Sequence, residues 1–390
     1  WVAGLLAAIL VIGCGGGTDT ASNGVGVGGT GAAATGPVTG YGSLIVSNVR
    51  FDVEDASFAS DEGSSLSLTS TQRVRPVGLG AIVDIRAGVI GRNTDNDEVA
   101  TATVVTVISA IRGPVTAKPS STSLTVLGQT VNVNSATQYD QDNGLAGVSV
   151  GNNVEVYGYQ DANGAYLATR IEVLSTTPTS YKLRGKVSSV TSSSVFTMGG
   201  ITLSIPGSGS TLIRMPSGGL HAGDLVRVQF GPSAISANNF LVTALSAIDV
   251  SAVKATSTHM DGIVSNFTSV SQTFKVDGVT VSVPSTATVT GTLANNKRAS
   301  VDGTVTNGVL VASSVQVRDD SGSDVTFKLI GLVSNLNTGA QTFSLKGLTV
   351  SYGSATFEGG TASNLGNNRM VEVEGRLTTT GFIATGIRLR

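Results

Sequence analysis

The chain has 390 residues and a net charge of -2, with 50 Gly, 13% charged and 5% aromatic residues. The near-neutral charge excludes the broad basic surface that nucleic-acid binding requires. A single cysteine excludes intramolecular disulfides and four-cysteine zinc sites. Abundant Gly, Ser, Thr and Val favour strands and turns over helices. We therefore expect an all-β protein.

The first feature along the chain is an apolar run, Val2 to Ile12, followed by Gly13-Cys14. It is too short to cross a bilayer as a helix, which takes about 20 residues, and it fits the hydrophobic region of a secretory signal. Residues 11–14, VIGC, resemble the lipobox of bacterial lipoproteins. The resemblance implies cleavage before Cys14, lipid on Cys14 and, with Gly15 rather than Asp following, sorting to the outer membrane. The alternative is an unmodified cysteine after a chance apolar run.

The next segment, residues 15–37, is rich in glycine and contains no aromatic residue. This composition predicts a flexible tether between the signal segment, residues 1–14, and the folded part of the chain.

A strand opening with a central glycine then recurs five times, at Gly40, Gly113, Gly185, Gly262 and Gly331. The last four copies continue into an alternating hairpin whose tip is Leu-Gly, Gly-Gly, Asp-Gly or Lys-Gly, and such tips supply the positive φ of a tight turn. A unit with so many short strands is expected to close into a small barrel, because closure leaves no unpaired edge. The sequence thus predicts five barrels of about 70 residues, strung like beads on short linkers, at residues 38–110, 111–176, 181–250, 258–320 and 326–390.

Two short patterns in this body carry a family resemblance. The opening Thr39-Gly40-Tyr41-Gly42, and Val-x-Val followed by a Ser-Ala-Thr-like turn in residues 131–137, resemble bacterial lipoproteins built from the domain of unknown function 5666. The resemblance covers residues 38–390, and the first and third copies are the most divergent. It implies OB-like barrels on a surface lipoprotein, and it brings no known activity or catalytic residue.

Candidate catalytic and metal-binding residues are few. The two histidines, His221 and His259, are predicted to lie in exposed loops, so no metal site or Ser-His-acid arrangement is expected around them. The acidic clusters include Asp95, Asp97, Asp140 and Asp142. We expect them to be solvated turns, and the alternative is weak calcium binding. We expect no enzyme and no cofactor.

The second copy carries the one predicted binding surface. Alternation directs Tyr157 and Tyr159 away from the core face, and the following turn returns Tyr166 and Arg170 beside them. Such a patch can stack sugar rings or single-stranded bases. The alternative is cross-strand pairing that only stabilises an exposed hairpin.

Together these features predict a non-enzymatic, lipid-anchored protein of the bacterial outer membrane, on its periplasmic or cell-surface face, that acts as a scaffold, spacer or adhesion module. The alternative function is binding of polysaccharide, or of single-stranded nucleic acid, through the tyrosine patch. The expected partners are the membrane, through lipid on Cys14, together with an extracellular or cell-wall polysaccharide or another protein. A nucleic-acid partner is not expected.

Overall fold

The computed structural model describes residues 31–390, except 70–71, 73–74, 141–142, 214, 217, 249–256, 319–324 and 379. These described residues form strands and two short 3-10 turns, Gly144–Gly147 and Ala362–Asn364, and contain no α-helix. The expectation of an all-β protein is confirmed. Within the described part of the chain, no helix is long and apolar enough to cross a membrane.

The strands fall into five consecutive groups, which we call units 1 to 5. Unit 1 contains β1 (Ala32–Tyr41), β2 (Leu44–Val46), β3 (Val49–Asp52), β4 (Ser57–Ser60), β5 (Ser65–Leu66), β6 (Ile82–Ala87), β7 (Gly91–Arg92) and β8 (Glu98–Ile108). Unit 2 contains β9 (Ile111–Ser120), β10 (Ser123–Val126), β11 (Gln129–Asn132), β12 (Gln138–Tyr139), β13 (Asn153–Gln160) and β14 (Tyr166–Val173). Unit 3 contains β15 (Tyr181–Lys186), β16 (Ser189–Ser192), β17 (Val195–Met198), β18 (Ile201–Ser204), β19 (Thr211–Ile213), β20 (Leu225–Ser236) and β21 (Asn239–Ala247).

Unit 4 contains β22 (Ser257–Ser265), β23 (Phe274–Val276), β24 (Val279–Ser282), β25 (Thr288–Thr290), β26 (Arg298–Thr306) and β27 (Val309–Val317). Unit 5 contains β28 (Phe327–Leu332), β29 (Ser334–Asn337), β30 (Thr342–Leu345), β31 (Leu348–Ser351), β32 (Thr356–Glu358), β33 (Met370–Thr378) and β34 (Gly381–Leu389).

Units 2 and 4 close into small five-stranded barrels. In unit 2 the pairing runs β9-β10-β11-β14-β13 and returns from β13 to β9. In unit 4 the same order, β22-β23-β24-β27-β26, returns to β22. In both, the second strand of the hairpin lies parallel to the last strand of the unit. Units 1, 3 and 5 repeat that parallel pair, as β3–β8, β18–β21 and β31–β34.

Alternation along the strands places the apolar residues inside each unit. In unit 4, Phe274, Val276, Val281, Val301 and Leu310 are all buried and form one cluster. The apolar clusters of units 2 and 3 are continuous with each other, and so are those of units 1 and 5. The alternation predicted from the sequence therefore forms the core.

The predicted hairpin tips adopt the conformation that their residues favour. Both tip residues have positive φ at Leu127-Gly128, Asp277-Gly278 and Lys346-Gly347, as a two-residue turn of the type I′ class requires. In each of these units the opening glycine lies under the tip. A Cβ on Gly113 or Gly262 would come within 2.6 or 2.7 Å of a tip side-chain atom. The recurring glycine is therefore needed for the tip to fold over the first strand.

The units do not form separate beads, because their first strands pair with one another. Residues 32–35 of β1 lie parallel to residues 257–260 of β22, and Gly40 and Tyr41 pair with β28. In the same way β9 pairs with β15. The prediction of independent barrels on linkers is wrong in this respect, since first strands that close their own units also bind their neighbours.

The strand β1 begins inside the segment that composition assigned to the tether, residues 15–37. Residues 32–37 pair with β6 on one side, and residues 32–35 pair with β22 on the other. Ala32, Ala33 and Ala34 are buried there. The remainder of the predicted tether that precedes residue 31 lies outside the described residues.

Ion pairs fill the space where units 1, 2 and 3 meet. Lys182 of unit 3 is 1% exposed and bonds to Asp61 of unit 1 and, at 2.9 Å, to the Ser109 hydroxyl. Arg112 of unit 2 bonds to Glu62 of unit 1 at 2.6 Å. Burial alone would raise the pKa of Glu62, but the Lys182 and Arg112 charges outweigh it and hold that pKa below its usual value. We call Asp61, Glu62, Arg112 and Lys182 the junction cluster.

Replacing one member of the junction cluster is expected to loosen three units at once. Lys182→Met removes the cation but leaves the Asp61 and Glu62 carboxylates buried, and breaking a buried pair in this way costs about 3–5 kcal/mol. Urea unfolding followed by circular dichroism measures the loss. Lys275→Met, at an exposed lysine of β23, is the control and should change the free energy of unfolding little. A loss as small for Lys182→Met as for the control would show that the cluster does not join the units.

A second polar feature lies on the long strand that pairs with the last strand of the unit, and it recurs in four units, on β6, β20, β26 and β33. One outward-facing position on each of these strands is polar and buried, at Asp84, Arg227, Ser300 and Glu372. Asp84 on β6 accepts a hydrogen bond from the Thr35 hydroxyl of β1 at 3.2 Å. Burial raises the pKa of the Asp84 carboxyl to about 7, although Arg86, Thr35 and Arg184 oppose that rise. Asp84 therefore holds a proton in the folded protein that it releases on unfolding at mildly acidic pH.

This proton makes stability fall as pH rises. Between the ordinary carboxyl pKa near 4 and the folded value, the native state binds more protons than the unfolded state, so the free energy of unfolding decreases by up to about 4 kcal/mol. Asp84→Asn keeps the shape without the charge, and its stability should fall less between pH 5 and pH 8 in urea titrations. Asp277, whose pKa burial also raises, is present in both proteins and cancels in the comparison. Identical pH dependence in the two proteins would contradict this account.

Candidate functional site

The tyrosines of the predicted binding patch are not on the surface. Tyr157, Tyr159 and Tyr166 are 8%, 1% and 1% exposed. Tyr157 and Tyr159 point away from the core of unit 2, as alternation predicts, and pack in the apolar cluster of units 1 and 5, whereas Tyr166 packs in the cluster of units 2 and 3. The prediction of an exposed patch is therefore wrong, because the sequence of one unit does not show which of its outer faces another unit buries.

These residues join units instead. The Tyr166 hydroxyl donates to the Arg184 carbonyl oxygen of unit 3 at 3.0 Å. The Arg298 guanidinium of unit 4 lies 5.9 Å from the centre of the Tyr159 ring, within range of a cation–π contact. Burial and the nearby Asp261 carboxylate raise the pKa of Tyr159 well above its usual value. Arg170 donates to the Leu79 carbonyl oxygen of unit 1 at 3.1 Å.

The acidic residues considered for calcium have other partners. Arg390 of unit 5 binds Asp95 at 2.5 Å and Asp97 at 2.8 Å, so a guanidinium occupies the position that a cation would take. Burial would raise the pKa of Asp97, but hydrogen bonds from Arg390 and Asn93 hold it low. Asp140 accepts a hydrogen bond from the Val173 amide at 3.0 Å, and Asp142 lies outside the described residues, as Cys14 does. Among the described residues, no three acidic, histidine or cysteine side chains are grouped as a metal site would need.

An open groove of about 750 Å³ lies between units 1 and 4. Unit 1 contributes Ile90 and Glu98 to its wall, and unit 4 contributes His259, Thr286 and Asp302. The wall also carries the hydroxyls of Ser257, Thr304, Thr306 and Ser313. It is therefore rich in donors and acceptors and poor in aromatic rings.

A histidine in this groove is held in a fixed orientation. His259 lies on β22 directly opposite Asp302 on β26, and its Nδ1 is 2.7 Å from Asp302 Oδ1. The other carboxylate oxygen accepts a hydrogen bond from the Ser314 hydroxyl at 2.6 Å. Burial would raise the pKa of Asp302, but the His259 and Ser314 hydrogen bonds keep it below its usual value. Since Ser314 donates to the carboxylate, its proton is not directed to the imidazole, and the three residues do not form a nucleophilic triad.

The expectation that His259 lies in an exposed loop is wrong, since the residue is in a strand and only 8% exposed. His221 is exposed, as predicted. A cross-strand pattern could have identified the His259–Asp302 pair. His259 stands three residues before the opening glycine of its unit, and Asp302 precedes a second recurring glycine. Lys328 and Glu374 hold the same two positions in unit 5, where they form an ion pair at 3.3 Å.

Three segments of the chain match the family model described as Domain of unknown function (DUF5666), at residues 112–172, 261–316 and 330–388. The prediction of repeats of this domain is thus confirmed for units 2, 4 and 5. No curated protein sequence matches the chain.

Every unit has a bulge in the long strand that pairs with its last strand, and a glycine at this bulge distinguishes the matched units from the other two. The register shifts there at Gly158, Gly303 and Gly375. A Cβ at any of these glycines would lie 2.0–2.2 Å from a carbonyl oxygen of the last strand, so no side chain fits without a shift of the backbone. Unit 1 has Ala87 and unit 3 has Phe230 at this place. This difference gives a physical reason for the divergence of units 1 and 3 from the family pattern.

Proposed function

We propose that this protein is a non-enzymatic, lipid-anchored scaffold or spacer of the bacterial outer membrane, built from five OB-like barrels that act as one rigid body. The observation that carries the proposal is the pairing of first strands between units, which joins β1 to β22 and β28. A body joined by strands and buried ion pairs transmits position and force, as a spacer or adhesion module must. The lipobox-like residues 11–14 support attachment through Cys14.

A plan of five barrels accounts best for the observed strand pairing. Units 2 and 4 have the complete ring, and the parallel pair next to the last strand recurs in the other three. Units 1 and 3 keep that pair although they lack the bulge glycine. The polar positions on their outer faces then serve contacts between units rather than a separate ligand on each one.

Attachment is tested by changing the one cysteine. Expressed in a Gram-negative host, the full protein is expected to fractionate with the outer membrane and to incorporate labelled palmitate, because several acyl chains on one residue hold a protein firmly. Cys14→Ser should abolish labelling and release the protein, whereas Ser22→Ala, in the neighbouring glycine-rich segment, should behave as the parent. Absence of label on the parent protein, or equal labelling of Cys14→Ser, would exclude a lipid anchor on Cys14.

A second candidate function, polysaccharide binding, is supported by the groove between units 1 and 4 rather than by the buried tyrosines. Its hydroxyls and the oriented His259 imidazole suit the hydroxyl groups of a neutral sugar chain.

Sugar binding in the groove is tested with a pair of histidine variants. His259→Ala is expected to weaken the binding of N-acetylglucosamine oligomers about tenfold, which corresponds to the loss of one hydrogen bond, as measured by isothermal titration calorimetry. The control His221→Ala changes an exposed histidine outside the groove and should leave the dissociation constant unchanged. Equal binding by the two variants, or none by the parent protein, would remove the groove from the proposal.

A further inference from the structure

Two cations at the junction of units 1 and 5 differ from the buried cations elsewhere in the protein. The buried cations have carboxylate partners, namely Asp61 for Lys182, Asp261 for Arg298 and Glu372 for Arg390. Arg50 and Lys346 are half-buried, and neither side chain forms an ion pair or a hydrogen bond with a described residue. Partial burial of a charge without a partner costs free energy, so these two positions are unfavourable unless a counter-charge binds there.

The two cations face each other across the junction. Arg50 lies on β3 of unit 1, and Lys346 is the first tip residue of the β30–β31 hairpin of unit 5, where its φ of 52° fixes the turn. Burial and the Arg50 charge together lower the pKa of Lys346. Arg75 lies against the same turn, since a Cβ on Gly347 would be 3.6 Å from its Nη2 atom. Positive charge therefore accumulates here without a protein counter-charge.

A cavity of about 150 Å³ opens beside Arg50. Thr39, Asn48 and Thr326 place hydroxyl and amide groups in its wall, and Lys328 adds a second cation. Two carboxylates also line it, and both are in ion pairs with cations that Glu372 shares: Asp97 binds Arg390 at 2.8 Å, and Glu374 binds Lys328 at 3.3 Å. Arg50 is thus the one charged residue lining this cavity that forms no ion pair with a described residue.

We propose that this cavity binds a small oxyanion, a carboxylate or phosphate group such as acidic saccharides carry, with Arg50 as its principal contact. The planar guanidinium offers two parallel N–H donors that match either group. The Thr39 hydroxyl donates to the Ile45 carbonyl oxygen at 3.3 Å, so the donors that remain are the Thr326 hydroxyl and the Asn48 amide, polar groups of the kind that fix the orientation of a bound group.

Binding is tested on the full protein with inorganic phosphate, glucuronate and glucose as separate probes, by calorimetry and by thermal unfolding. Phosphate or glucuronate is expected to bind saturably and to raise the unfolding temperature, as a ligand of the native state does. The tighter of the two identifies the group as a phosphate or a carboxylate, and glucose should not bind. Arg50→Gln should weaken binding at least tenfold and remove the thermal shift.

The matched control is Lys275→Gln, which removes a charge from an exposed lysine of unit 4 and should bind as the parent does. Arg50→Gln is expected to fold, since Arg50 has no described partner to lose, and its unliganded unfolding temperature should be equal to or above that of the parent. Absence of saturable binding by both anions, or unchanged binding by a folded Arg50→Gln variant, would overturn the proposal.

Discussion

The structure depends on the first strand of each unit being used twice. Each of these strands belongs to the sheet of its own unit and also pairs across units, β1 with β22 and β28, and β9 with β15. Many outward side chains of these strands are covered by neighbouring units, so the polar ones must find polar partners there. The junction cluster follows from this constraint, because Arg112 and Lys182 lie on such strands and take their counter-charges from unit 1.

The pairing between units also explains which features could be predicted from the sequence and which could not. Alternation and the glycine-containing tips predicted the hairpins, since these features depend on residues close together in one unit. The burial of Tyr159 and His259 depends on contacts between residues far apart in the chain, such as Tyr159 with Arg298 of unit 4. The start of β1 was missed for a related reason, because an Ala-Gly segment has no alternation and becomes a strand only between two others. Charge offered a usable signal, since the basic residue before the opening glycine and the acidic residue before the bulge glycine face each other in units 4 and 5.

Two kinds of glycine explain why the units share one backbone plan while their outward side chains differ. The opening glycine makes room for the hairpin tip, and the bulge glycine admits the carbonyl of the last strand. Both requirements are steric and leave the outward positions free to vary. Those positions then carry Asp84, Arg227 or Glu372 according to which neighbour they meet. The repeated frame thus accounts for the fold, and the variable outer faces account for the groove between units 1 and 4 and for the cations between units 1 and 5.

The most direct test of a single joined body is amide hydrogen exchange along β1, whose residues sequence composition assigned partly to a mobile tether. If β1 pairs with both β6 and β22, the amides of residues 32–37 that are bonded in those ladders exchange only on global unfolding, with the same free energy as those of β9 and β15. Rapid exchange of residues 32–37, together with a different opening free energy for each unit, would show five independent barrels and contradict the account.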